Sequence, residues 1–484
     1  MAVAGGVLCA QTASEWAYFG ADRKLHYKTD ARGNRIMDFS AAGYRGGGVK
    51  VPTVAVAKRL LPEPGDCTAR IQAALDEAHG AVVLAAGEYE IAGTLSIARS
   101  GVVLRGEKGA TLRLTGKPHR LLEIRGSGAW TEEGAPAAIV DDYVPAGADS
   151  FRVKDASGFH PGDRVLVLRP VTPKWMHFMD MDTLVRDGKQ QTWIRAGSVI
   201  RTDRVVQSVE GNRITLDVPL SDALDSKFTA ASLVRYRFAG RISESGVENL
   251  RITAPVDDKP ISEAQFTALR IDAAEDVWAR DLEIQETQNG IVIGAGAKRV
   301  TLANVRITHS AAHSGAAAPA DFALQGTQIL LDRCGVAGAE GTWPVVTQAQ
   351  VTGPLVVLNF AADHRGVAPH QRWATGLLVD GAKLPGGTER AQGIAFSNRT
   401  TAGSGHGWDV GWSVAWNVSS PFLLVQQPPG AINWCIGCIG KAVTQGSMPN
   451  GVFDSPGKTV EPASLYLEQL RERLGPAAVN NIGY

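Results

Sequence analysis

Two blocks of this sequence repeat each other one after the next. Leu269-Arg270-Ile271-Asp272 leads to Leu282-Glu283-Ile284, and Ile291-Val292-Ile293-Gly294 leads to Val305-Arg306-Ile307, so that Leu269 and Ile291 share a phase 22 positions apart. A period of this size built from short strands cannot bury its apolar face alone, so each repeat must stack on its neighbours. A small polar residue recurs just before the last strand of each turn: Asn249 before Leu250, Asp281 before Leu282, Asn304 before Val305. Stacked at a bend, such side chains can bond to the next coil. Residues 328–332, 355–359, 376–380, 393–398 and 414–417 fit further turns, and the 54 glycines and 24 prolines favour many turns over long helices. The expectation is an all-β solenoid over residues 240–445.

Residues 63–126 precede it with a helix start and short strands. Asp66-x-Thr68-x-x-Ile71-Gln72-x-Ala74-Leu75 has helical spacing and a capping residue, followed by Leu84-x-x-Gly87-x-Tyr89 and Ser100-Gly101-Val102-x-Leu104-Arg105-Gly106. These roughly 60 residues resemble the pectate-lyase superfamily of right-handed parallel β-helices. The resemblance implies a capping helix and first coils. It is specific for fold and not for reaction, because such proteins include lyases, hydrolases and phage tailspikes. Residues 127–239 break the rhythm with strand-like runs separated by Pro-Gly-Asp and Glu-Gly-Asn turns, and read as an inserted small β-barrel or sandwich. Within them, Thr172 to Asp182, rich in Trp, Met and His, reads as either a lid over a cleft or a domain contact. Residues 1–62 read as an export-signal remnant and an extended segment lying on the body. In the tail, 446–484, Ala463 to Leu474 is helix-forming and stops at Gly475-Pro476, with Leu467, Leu470 and Leu474 on its docking face.

Forty-nine basic residues balance 49 acidic ones, so no long-range field favours nucleic acid or an acidic membrane surface. An anionic partner must be caught by a local cluster. No run approaches the ~18 apolar residues of a membrane span. Met1 to Ala10 is small and apolar and fits the tail of an export signal, which points to a periplasmic or secreted protein. Five scattered cysteines do not make a disulfide framework; Cys435-Ile-Gly-Cys438 is expected to be buried thiols or a local disulfide.

Residues 363–434 concentrate the candidate chemistry, with three of the ten histidines and five of the eleven tryptophans. Imidazole moves protons near neutral pH, guanidinium holds anions, and indole can stack on a sugar ring. Eliminative cleavage of a uronate polysaccharide needs a base for the C5 proton, a cation to neutralise the carboxylate, and an acid for the leaving oxygen. His370 is the expected base and Arg372 the clamp, sharing one face of a strand across Gln371; His406, flanked by glycines, is the second base or acid. Trp373, Arg399, Trp408, Asp409, Trp412, His313, Asp321, Asp363, His364 and Arg365 are expected to bind the polysaccharide or oligosaccharide. The run from His370 to Gly376, with Gly407-Trp408 and Asn433-Trp434, also resembles a pattern in uncharacterised bacterial members of the superfamily, which implies a shared site. No cofactor is implied. Calcium dependence would want an Asp-rich loop, and a metal site from His309, His313 and Asp321 is a weaker alternative. Two rival readings stand beside the lyase: a glycoside hydrolase using paired carboxylates among Asp321, Asp363 and Asp409, and a non-catalytic glycan-binding adhesion module.

Overall fold

The computed structural model describes residues 12–256, 259–313, 317–389 and 392–484, so the expected export segment lies outside the described residues. The 22-residue phase is a coil. Leu269–Ile271 pairs in parallel with Ile291–Ile293, which pairs with Phe322–Leu324, which pairs with Val345–Thr347. On the adjoining faces Ala274–Gln285 runs parallel to Lys298–His309, followed by Thr327–Asp332, Thr352–Leu358, Ala374–Asp380, Val414–Trp416, Trp434–Ile436 and Val452–Asp454. The chain is a parallel β-helix.

One corner of the coil explains the polar residues picked out by the repeat. Asn249, Asp281 and Asn304 all have left-handed backbones, with φ of 57°, 55° and 52°. Asn and Asp tolerate that conformation better than other side-chain-bearing residues. The Asn304 amide donates to Asp281 Oδ1 at 3.0 Å, so the corner residues also bond coil to coil. Arg333, Asn359, Gly381, Asn417 and Gly437 continue the corner, again with positive φ. At Gly437 a β-carbon would stand 2.2 Å from Asn417 Oδ1, which is why that rung needs glycine. Inside the corners, Val, Ile and Leu from every coil form one continuous apolar column.

The helix Thr68–Glu77 closes the start of the column with Ile71, Ala74 and Leu75, and Asp66 Oδ1 takes the Thr68 amide at 3.0 Å. The solenoid begins earlier than the expected boundary: Val56–Leu60 already pairs with Ala81–Leu84. The C-terminal helix Leu465–Leu474 docks on the side of the coils, where Asp380 Oδ2 accepts from Ser464 Oγ at 2.7 Å and Tyr466 N at 2.9 Å. Its buried face is Leu465, Tyr466 and Leu470; Leu474, expected on that face, is exposed. Cys435 and Cys438 are buried free thiols.

The inserted unit is an antiparallel six-stranded sheet of Thr131–Ala138, Ser232–Arg237, Arg164–Pro170, Val199–Glu210, Arg213–Leu216 and Ser150–Arg152, with its own core around Phe151, Val167 and Ile214. Buried ions fix it to the solenoid. Asp203 accepts from Lys298 Nζ at 2.7 Å and Tyr236 Oη at 2.7 Å, and Arg164 pairs with Glu275 at 2.6 Å. Removing either partner of the Lys298–Asp203 pair leaves an uncompensated buried charge, so this joint fixes the inserted unit against the coils.

Candidate functional site

His370 follows the strand Trp343–Thr347 by one coil, its amide donating to Thr347 O at 3.0 Å. Beyond it the chain does not remain a strand. Arg372 and Trp373 have φ of 54° and 67°, so His370 and Arg372 do not share a face by strand alternation as the sequence suggested. They meet through a turn instead. Residues 399–407 fold back over this corner, with Arg372 N bonded to His406 O at 3.0 Å, Trp373 N to Trp408 O at 3.0 Å and Arg399 N to Gly407 O at 2.8 Å. The result sets the His370 and His406 rings perpendicular with centroids 4.7 Å apart. Arg399 Nη1 donates to His370 O at 2.8 Å, and Arg372 donates to Gln371 Oε1 and Ser404 Oγ, both at 2.6 Å.

The four side chains are half-buried and carry only positive or neutral groups. Among the described residues, neither arginine has a carboxylate within ion-pair distance, and no hydrogen-bond partner engages the His370 ring; His406 Nδ1 is likewise unpartnered. Burial, then Arg399 and Arg372, pushes His370 down to about 4, and burial followed by His370 and the same arginines does the same to His406. Both are neutral at pH 7. The nearest acid to Arg399 is Asp409, which burial raises far above the usual carboxylate range despite hydrogen bonds from Ser397 N and Oγ, both at 2.9 Å. Asp409 is fully buried, so it holds the turn and does not face a ligand.

The tryptophans expected to stack on sugar sit elsewhere. Trp373, Trp408 and Trp412 are 2%, 1% and 4% exposed. The segment from Thr172 to Asp182, a short helix over Pro173–Phe178 capped by Thr172, together with Trp193, covers them, which makes it a domain contact. Trp408 Nε1 donates to Met179 O at 3.2 Å and Trp193 Nε1 to Trp408 O at 3.0 Å, while Trp373 and Trp412 both donate to Asp222, at 2.7 and 3.0 Å. These rings present no free face to a sugar.

A second group lies toward the opposite, N-terminal ends of the same strands, with His364 and Thr342 each six residues before the His370 and Gln348 rung. His309 Nε2 is 2.7 Å from Asp321 Oδ1, Thr342 Oγ1 donates to Asp321 Oδ2 at 2.6 Å, and His364 Nε2 is 3.2 Å from Thr342 Oγ1. Burial works against charge on His309, but the Asp321 hydrogen bond and charge hold it above the ordinary value; His364, pushed down by burial, is neutral. Arg365 stacks over Trp343 at 4.3 Å, and His313 is half-buried with neither ring nitrogen bonded. Asp363 is exposed and accepts from Gly338 N at 3.2 Å. Asp321 is thus spent on a direct hydrogen-bonded pair, and among the described residues no three His, Cys, Asp or Glu side chains converge as metal ligands. Sequence reasoning missed Ser404, Gln371 and Thr342. Nothing local marks the serine or the threonine, since each acts on a partner more than 20 residues away.

No protein-family model and no curated protein matches the chain. Solved structures do. The tailspike of Acinetobacter baumannii bacteriophage AP22, in complex with capsular saccharide, is 12% identical with a TM-score of 0.43, covering 78% of this chain and 51% of the tailspike. The Streptococcus pneumoniae surface adhesin PfbA is 10% identical with a TM-score of 0.38, over 79% of this chain and 76% of the adhesin. An alginate lyase from a Paenibacillus species is 10% identical with a TM-score of 0.30, over 81% and 89%. The chain therefore spans about half the length of the AP22 tailspike.

Proposed function

We propose that this protein cleaves a uronate-containing polysaccharide by β-elimination at the cluster of His370, His406, Arg372 and Arg399. The observation that carries the reading is an unneutralised cationic cluster of two arginines around two facing imidazoles. Such a cluster is matched by a carboxylate-bearing substrate. A uronate between the two guanidiniums would cancel the arginines' share of what holds the histidines down, the larger share being burial, so the bound sugar itself lifts the base part of the way toward the pH at which it works. His370 then takes the C5 proton, the electrons left on C5 form the C4=C5 double bond, and the C4–O bond breaks. The proton that His370 has taken passes through His406, whose ring lies against it, to the leaving oxygen, so that both imidazoles end the cycle neutral. Arg399 and Arg372 stabilise the charge that builds on the carboxylate as C5 loses its proton.

The hydrolase reading fares worse on geometry. Asp321 and Asp409 are both fully buried, and Asp363 is bonded to neither, so the three expected carboxylates do not form an open pair. A polymeric sugar acid as substrate implies work in the periplasm or outside the cell, and the N-terminal resemblance to the pectate-lyase superfamily supports the same reading. The test is a panel of uronate polysaccharides followed by ultraviolet absorbance of the unsaturated product. We expect absorbance to rise with wild type and to fall about 10²–10⁴-fold in rate with His370→Ala. New reducing ends without absorbance would refute elimination; retention of a polysaccharide without any cleavage would refute catalysis.

A further inference from the structure

The cationic cluster is one end of a longer feature. On successive coils, Leu324 pairs with Thr347 and Gln348 N bonds to Leu324 O at 2.8 Å, while His370 N bonds to Thr347 O at 3.0 Å. Gln325, Gln348 and His370 therefore occupy consecutive rungs, ~4.8 Å apart along the solenoid axis. Gln350 N bonds to Arg372 O at 2.9 Å, which joins the next residues of the Gln348 rung to the cluster. Gln325 and Gln350 line a cleft of about 150 Å³ whose far wall belongs to the inserted domain, through Val199, Arg201 and Trp130. Every one of these glutamines is half-buried, as is Trp130, and Arg201 is exposed.

The amides are not consumed by one another. Gln371 Nε2 stands 3.5 Å from Gln348 Oε1 and Gln350 Nε2 stands 3.5 Å from Ser198 Oγ, both at the limit of a hydrogen bond, and among the described residues no side-chain partner holds Gln325. A closed structural ladder would show short amide-to-amide contacts. What is present is a line of neutral groups, each offering two donors and an acceptor, next to an accessible indole. That is the chemistry that recognises sugar hydroxyls and the apolar face of a pyranose.

Resting on the elimination reading for its cationic end, we propose that a carbohydrate chain runs along the solenoid axis in this trough. The unit to be cut sits at His370, the following units are held by Gln348, Gln350 and Gln325, and a distal ring stacks on Trp130. Trp130 and Gln325 are then affinity determinants that act only on chains long enough to reach them.

The experiment measures binding by calorimetry to alginate and polygalacturonate oligosaccharides graded from disaccharide to octasaccharide, for wild type, Trp130→Ala, Trp130→Phe and Gln325→Ala. For wild type we expect affinity to climb with length on at least one series. The loss in Trp130→Ala and Gln325→Ala should grow with chain length to roughly tenfold at the octasaccharide, with Trp130→Phe close to wild type. Equal losses at all lengths, no loss at the longest, or no binding of either series would each overturn the proposal. Length-dependent binding without an unsaturated product would leave the trough standing and remove the elimination; elimination with unchanged octasaccharide affinity in both variants would do the reverse.

Discussion

Replacing His370 and His406 together by glutamine should change how the protein's stability depends on pH, and the size follows from the site. Each imidazole falls from an ordinary 6.5 to about 4, because burial and the two arginines oppose its charge. At about 1.4 kcal/mol per pH unit, that is about 3 kcal/mol for each ring before allowance for solvent. Both rings are half-buried, so screening reduces this to roughly 1–2 kcal/mol apiece. The folded value lies below the unfolded one, so the unfolded chain binds the proton more readily between pH 6.5 and 4. The contribution is therefore fully present above pH 6.5 and is lost as pH falls toward 4. Urea unfolding at half-unit steps from pH 7.5 to 4.5 would show it. Wild type should lose roughly 2–4 kcal/mol more than the double variant over that interval, and the gap should shrink in the presence of a bound uronate oligosaccharide. Parallel pH profiles for the two proteins would refute the claim that these imidazoles are held neutral by their surroundings.

Asp222 takes hydrogen bonds from Trp373, Trp412 and Arg169 at 2.7, 3.0 and 2.9 Å, so Asp222→Ala strands three buried donors and should cost about 3–5 kcal/mol in unfolding free energy, with Asp222→Asn costing less. Asp380, which burial raises from 3.8 to about 7, contributes stability that is full below pH 3.8 and is lost as pH rises to 7; exchange protection over Leu465–Leu474, corrected for the intrinsic pH dependence of amide exchange, should fall between pH 4 and 7 in wild type and not in Asp380→Asn. Arg399→Gln should slow cleavage of a uronate polymer by at least tenfold and raise the titration midpoint of His370 in carbon-detected NMR, whereas an unmoved midpoint would deny the arginine its electrostatic part.

The fold was legible because its most demanding positions are backbone positions. Asn249, Asp281 and Asn304 mark left-handed corners, and few residue types tolerate them, so three letters located one corner of several coils. The corner became harder to follow where Arg333, Gly381 and Gly437 carry it on, because an arginine in that conformation has no sequence signature and a glycine has too many. The apolar strands between the corners repeat in phase whatever their exact residues. The reach of the C-terminal helix was less visible: its buried face is set by Asp380 and the N-terminal segment, not by leucine spacing.

The site divided along a similar line. His370, Arg372 and His406 come together because glycines at 403, 405 and 407, all with positive φ, let the loop turn back onto the preceding coil, and that glycine pattern is local. The tryptophans misled because an indole in a cleft and an indole in a core read alike; only Met179, Met181 and Trp193, about 200 residues upstream, seal Trp408. The same burial bears on the chemistry. By filling the space behind the turn, where Trp193 and Met181 lie against Gly407, the aromatic layer keeps water from the inner side of the loop that carries His406 and Arg399, and a dry backing would let an unpaired guanidinium hold a carboxylate more tightly than it does in water. On the proposed reading the tryptophans serve the cationic cluster from behind, and a substrate need never touch them.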